Sequence, residues 1–522
     1  MAAVSIFVNL VTVFRGKAFW MDEWFIIANI KFRSAASLFG PLDYIQEFPR
    51  LYLALVQALV KGLNYAAFSY RLIPFLIQCA NVGLVWLIGR RYLYMNRIRR
   101  SAFLLLLFLA NMTTIFYFTK IKHYTMDIFI SLLAFLQYSL LLEWARKPRL
   151  DKKFAVILAV GASGPFFSYC YEYYVVPIFL VAAFYFLRSI KRGRPNWLYA
   201  LPILIFIASL ALSYQINLKY TLSNGAQRNV YSEFFVNPQS AGLLLNSASG
   251  AFLEFFSEFL FVPESIHNAG AALVLRLARY GFGLLTLIGL GIAGAQLKKK
   301  VRRLRLRGEG EGDPGPEFFF IVSMLAVAVL FLAHNIPLGL ARLDYFAFLP
   351  MAYFAIAGLG MFLGHPWAIF RGAAHVALAG LIIFFGTFFA KANYNELRGR
   401  AAGFDQAVFD NVGAAIHRAY ATNAVLVVLG DTPLDPAITL DYTDPRRTAI
   451  LNKSANELIV KVHPAFLVKR PLRVIALNSI REIGRISGLS PAQPLIIVRP
   501  ASFNETTAAA ASVNTDKTAS FR

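Results

Sequence analysis

The sequence predicts an all-α polytopic membrane protein of about eleven transmembrane helices, followed by a small C-terminal extracytoplasmic α/β domain. Three observations carry this. Hydrophobic residues make up 58% of the 522, and charged ones only 15%, where a soluble domain carries about 25%. Uncharged runs long enough to span a bilayer recur with turnaround loops between them. Lys and Arg gather in alternate loops.

The spans fall near 2–14, 72–89, 101–119, 124–142, 154–171, 173–187, 198–218, 280–297, 318–336, 345–364 and 372–390. Backbone groups cannot go unpaired in lipid, so each is a helix. A barrel would need strict alternation, and Phe103 to Ala110 has none. The first run covers about 20 Å at 1.5 Å per residue, short of the roughly 30 Å hydrocarbon core. That helix either leans on its neighbours or continues a segment upstream, the second being preferred. Ala2 to Phe14 has no basic n-region and no small-residue cleavage site, so no signal peptide is assigned.

The net charge of +24 is distributed as a membrane topology requires. One basic cluster holds Arg90, Arg91, Arg97, Arg99 and Arg100. The others are 146–153, 188–194 and Lys298 to Arg307, the last with seven positive charges. Lys and Arg resist translocation and meet anionic lipid on the inner leaflet. The chain is therefore expected in a plasma membrane (a bacterial inner membrane), N-terminus cytoplasmic, with membrane lipids as partners and no nucleic acid. Segment 15–71 carries seven basic residues and is outside on this topology, which weakens the charge argument without reversing it.

Inside the longer outer loops, Pro49 to Leu63 and Phe252 to Phe261 read as amphipathic interfacial helices. The division is 1–391 membrane module, 392–500 α/β domain and 501–522 disordered tail. In the α/β domain, Asp405 to Tyr420 and Ser479 to Gly488 read as helices. Ala424 to Leu429, Leu458 to Val462, Leu472 to Leu477 and Leu495 to Val498 read as strands. The tail is rich in Ala, Ser, Thr and Asn. The two cysteines, Cys79 and Cys170, exclude a disulfide framework.

Ionisable groups at the outer helix ends are the candidates for chemistry. Asp22 and Glu23, flanked by Trp20 and Trp24, follow the first span. They fit an aromatic belt with Asp22 as helix N-cap, or a general base raised by partial burial. Lys120, Tyr124 and Asp127 share a helix face if the fourth span extends that far, and Lys120 or Lys122 is close enough to partner Asp127. Snorkelling lysines and a tyrosine belt are the bland reading. Arg342 precedes Asp344 and Tyr345; it pairs with Asp344 or grips a phosphate bidentately. Glu172, amid Tyr169, Tyr171, Tyr173 and Tyr174, suits a sugar whose hydroxyls it would bind. Metal-protease, serine-hydrolase and Walker motifs are missing from the sequence.

These acids and cations on one side suit a lipid-linked phosphosugar donor, with cations on the departing phosphate and a carboxylate on the attacking hydroxyl. The residues resemble the GT-C superfamily of membrane glycosyltransferases, in the branch of protein O-mannosyltransferases and aminoarabinose transferases. Asp22-Glu23 resembles the family's acidic pair after the first span. Lys122, Tyr124, Thr125 and Asp127 resemble its Lys-x-Tyr-(small)-x-Asp element. Pro337 to Pro350 resembles its Arg-x-x-Tyr and proline region, and Phe68 to Pro74 its entry to the second span.

The likeness covers about 15–360 and implies a GT-C-like module, a polyprenyl-phosphate-linked sugar donor and inversion at the anomeric carbon. The site would be extracytoplasmic, with a lipid, glycan or protein acceptor. It casts Asp22, beside Glu23, as catalytic base, with Arg342 and Lys122 on donor phosphate. Lys120, Tyr124, Asp127, Glu172 and Tyr345 complete the expected substrate site. No cofactor is assigned, and a divalent metal is left open. A transporter or flippase, or a polymerase or ligase of lipid-linked glycans, is the alternative. The short first span and the α/β domain depart from the family pattern.

Overall fold

The computed structural model describes residues 1–15, 21–42, 47–64, 66, 68–93, 98–193, 195–219, 250–251, 255, 269–307, 314–333, 335–336, 344–364, 366–397, 422, 425–429, 474–477, 495–498 and 518–520. The membrane region is a bundle of helices, and every expected span has one. They are α1 (Ala2–Phe14), α4 (Ser69–Arg91), α5 (Ile98–Ala110), α7 (Tyr124–Ala145), α8 (Lys152–Phe167), α9 (Tyr171–Lys191) and α10 (Ala200–Ser213). After the second long loop come α11 (Ala269–Arg307), α12 (Gly315–Leu332), α13 (Phe348–Leu363) and α14 (Ala368–Leu397). Eight helical segments among the described residues are long and apolar enough to cross a membrane.

Two more helices, α2 (Met21–Phe32) and α3 (Arg50–Gly62), lie between the first and second spans. The amphipathic helix expected over Pro49 to Leu63 is thus α3. Tyr52, Leu53, Val56 and Val60 are buried on one of its faces. Of the expected helix at Phe252 to Phe261, Phe255 alone is described, and it is helical and buried.

The third span departs from expectation. It breaks into α5 and the short α6 (Met112–Tyr117), because Asn111 leaves the helix. The Asn111 side chain caps α6 by accepting the amides of Thr113 at 2.9 Å and Thr114 at 3.3 Å, as an N-cap does.

Helix α7 is the most enclosed span. It packs on α4, α8 and α9, and aromatic rings join α12 to both α7 and α9. Phe135 stacks on Phe320 at 5.0 Å, and Tyr174 stacks on Phe319 at 5.5 Å. Polar side chains in this interior are bonded across helices. Tyr171 donates to Gln137 Oε1 at 2.8 Å, and Gln137 Nε2 donates to the Ile157 carbonyl at 2.7 Å. Pro165 cannot donate to the Gly161 carbonyl, which instead accepts Ser209 Oγ at 2.8 Å.

Helices α11 and α13 touch backbone to backbone. A Cβ on Gly289 would overlap the Phe354 carbonyl oxygen, and one on Gly358 the Leu285 carbonyl oxygen.

In the C-terminal region the strands β1 (Val425–Leu429), β2 (Val474–Leu477), β3 (Leu495–Val498) and β4 (Thr518–Ser520) form a parallel sheet in the order β2-β1-β3-β4. Three of the expected strands are there. The fourth, Leu458 to Val462, and both expected helices lie outside the described residues. The tail expected to be disordered contributes β4, whose Thr518 to Ser520 extend β3's free edge; an unpaired row of backbone donors and acceptors accepts such a strand despite its composition.

Candidate active site

The turn between α6 and α7, residues 118–123, is where several buried charges of the described residues meet. It is a loop at a helix end, so its backbone needs partners from elsewhere. Glu23 of α2, 1% exposed, accepts the Ile121 amide at 3.1 Å. Arg71 of α4, 2% exposed, donates to the Thr119 carbonyl at 3.3 Å. The two side chains sit 3.8 Å apart, so each compensates the other's burial. Tyr52 of α3 donates to the Lys122 carbonyl at 3.2 Å. Three elements far apart in sequence thus hold one turn.

The turn carries two buried cations. Lys120 Nζ lies 3.0 Å from the centroid of the Phe116 ring, and Lys122 Nζ lies 5.6 Å from that of Phe48. Aromatic faces attract desolvated ammonium groups in this way. The shared helix face expected for Lys120, Tyr124 and Asp127 is not formed. Helix α7 starts at Tyr124, and the bonds from Glu23 and Arg71 keep 119–121 in the turn, leaving Lys120 off the helix.

Tyr124 is buried with its ring edge-on to Tyr117 at 4.7 Å. Asp127, 5% exposed, accepts Ser168 Oγ at 2.6 Å and lies 3.5 Å from His123 Nε2. Burial first, and the Lys122 charge second, push His123 down to about 3. The imidazole is therefore neutral at ordinary pH, and its contact with Asp127 is polar rather than ionic. It packs edge-on to Phe48 at 4.7 Å.

Glu172 stands in the first turn of α9. Its Oε1 is enclosed and has no hydrogen-bond partner among the described residues. Tyr345 is buried, in a short 3-10 turn over Asp344–Ala347. Its hydroxyl is 2.5 Å from Thr114 Oγ1 and accepts Gln78 Nε2 at 3.3 Å. Gln78 in turn accepts Asn81 Nδ2 at 2.7 Å. The expected substrate-binding tyrosine is thus tied into a network joining α4, α6 and this turn.

Asp22 lies within the first turn of α2, after Met21, and not ahead of the helix as an N-cap would. Its side chain, and Arg342 altogether, lie outside the described residues. Among the described residues there is no group of three or more His, Cys, Asp or Glu placed to hold a metal ion.

The sequence reading passed over Arg71, His123, Ser168 and Tyr52 as site residues. Arg71 had a signal, an arginine at the head of an apolar run. Ser168 and Tyr52 had none.

No family model and no curated protein matches the chain. Three solved structures of the Archaeoglobus fulgidus oligosaccharyltransferase are similar to it. One is a complex with zinc and sulfate, at TM-score 0.41, covering 82% of this chain and 59% of that one. Another, described as archaeal AglB with an inhibitory peptide and a dolichol-phosphate, has TM-score 0.42 and covers 82% and 61%. The third is tethered to an acceptor peptide containing an NVT sequon, at TM-score 0.41. Identity is 11% in each. The chain spans about three fifths of the length of these structures.

Proposed function

We propose that this chain is an integral membrane glycosyltransferase that moves a sugar from a polyprenyl-phosphate donor to an extracytoplasmic acceptor, an envelope lipid, glycan or protein. The observation that carries the reading is the gathering of Glu23, Arg71, Lys120, Lys122 and Asp127, all buried, at one end of the bundle. Buried charge at a membrane boundary is costly and marks function more often than stability. The basic loops lie at the opposite helix ends, which supports reading this end as the outward one.

In the proposed reaction an acceptor hydroxyl attacks the anomeric carbon from the face opposite the phosphate. The new C–O bond forms as the bond to the phosphate oxygen breaks, inverting the centre. Asp22 takes the hydroxyl proton, and the lipid phosphate leaves with the bonding pair. Lys122 and Arg342 contact the donor phosphate, and Lys120 adds positive potential beside it. Asp127, Tyr124 and Glu172 fit sugar hydroxyls. Glu23, bound to Arg71 and to the Ile121 amide, is a positioning residue that holds the Lys120–Lys122 turn.

The test is transfer of labelled sugar from polyprenyl-phosphate donor by purified protein. Asp22→Asn is expected to lower the rate by about 100-fold or more, the scale of general-base catalysis, with normal insertion. Transfer at the parent rate would remove Asp22 from the mechanism.

A further inference from the structure

Two arginines are sealed inside this end of the bundle, and they differ in one respect. Arg71 has the Glu23 carboxylate and the Thr119 carbonyl. Arg50, 0% exposed, has no hydrogen-bond partner among the described residues for Nε, Nη1 or Nη2. Glu47 lies 4.0 Å from Nη2, beyond hydrogen-bond reach. A guanidinium carries five donors, and burying them unsatisfied costs more than most local interactions return.

The surrounding structure goes to some length to keep Arg50 there. Its backbone amide donates to Asn217 Oδ1 at 3.0 Å. Asn217 belongs to a π-helical turn, Tyr214–Leu218, that extends α10; such turns are frequent at functional sites. Asn217 Nδ2 donates to the Pro165 carbonyl and to Ser213 Oγ, both at 3.1 Å. The start of α3 is thereby pinned to α8 and α10. Two residues earlier, Phe48 carries Lys122 and His123. Phe48 and Tyr52, on either side of Arg50 in the chain, thus both touch the cationic turn of the candidate active site.

We propose that Arg50 is an anion-binding residue whose ligand is the phosphate of a membrane lipid, which takes the place that Glu47 holds loosely. Bidentate bonds to phosphate oxygens would satisfy donors that no described side chain reaches. The choice of a lipid phosphate rests on the proposed function; the anion site rests on Arg50 alone.

The test uses the full chain in detergent, with farnesyl phosphate and inorganic phosphate as probes and thermal stabilisation as the readout. Arg50→Met is expected to weaken farnesyl phosphate binding about tenfold or more, the size of a lost hydrogen bond to a charged group. Glu47→Gln should tighten it. The double variant Glu47→Gln, Arg50→Met removes both charges and keeps the comparison readable if the single variant does not fold. Equal affinity in the parent and both Arg50 variants overturns the site. Inorganic phosphate as effective as farnesyl phosphate overturns the lipid assignment and leaves a free-phosphate site. Sugar transfer is followed in parallel, so that binding without transfer separates failure of the enzyme reading from failure of this one.

Discussion

The two ends of the bundle handle charge differently. At the end with the basic loops, two ion pairs stand in or near water, while Glu317 is enclosed beside a half-buried Lys300 at 2.7 Å. Lys153 and Glu143 meet at 2.6 Å with side chains 42% and 33% exposed, and Arg149 meets Asp151 at 3.0 Å with Arg149 77% exposed. Asp151 also caps α8 by accepting the Phe154 amide at 3.0 Å, and that bond, more than Arg149, holds its carboxyl below the usual range. At the other end Glu23, Arg50, Arg71 and Asp127 are all 5% exposed or less. Solvated pairs cost little to keep and contribute little. Enclosed ones must be matched group by group, and are kept for what they organise.

The largest effect that would break this contrast concerns Glu23. Glu23→Gln removes the carboxylate 3.8 Å from the buried Arg71 guanidinium, and about 3–5 kcal/mol of stability should be lost. Thermal unfolding in detergent measures it, and Glu23→Gln combined with Arg71→Met should recover much of the loss. An unchanged melting temperature in the single variant would place Glu23 among the solvated charges.

His123 gives an intermediate effect that depends on pH. Its folded value near 3 lies below the ordinary 6.5, so the unfolded chain takes up the proton first. Its contribution is complete above about pH 6.5 and declines as pH falls toward 3. Melting temperatures across that window should drop with acid, and His123→Gln should flatten the slope. A slope unaltered by the substitution assigns the acid sensitivity to other groups.

The smallest effect belongs to the solvated end. Lys153→Ala should cost about 0–1 kcal/mol, shrinking further in salt. A loss as large as that of Glu23→Gln would erase the distinction between the ends.

The helices could be read from the sequence because lipid leaves the backbone no alternative. Uncharged runs such as Phe103 to Ala110 had to be helical, and α3 showed its amphipathic pattern. The break at Asn111 was hidden, since a single amide among apolar residues looks like a tolerated polar group. The site was legible in its composition and not in its pairings. Asp127 was expected to pair with Lys120 or Lys122, whereas Ser168 and His123 are beside it. That pairing depends on how the α8–α9 turn docks on α7, which spacing along one segment cannot encode. Tyr345 was expected in the substrate site, and its interior bond from Gln78 was not legible because it joins residues far apart in the chain.

The glycine contact between α11 and α13 has a mechanical consequence. Sliding one helix past the other by one turn, about 5.4 Å, would bring Leu285 or Ala293 beneath the Phe354 carbonyl where only hydrogen fits. The pair is therefore locked in register and travels as one unit. Any widening of the bundle to admit a bulky lipid must occur along seams made by side chains, such as the one where Asn81 of α4 bonds the Thr125 carbonyl of α7.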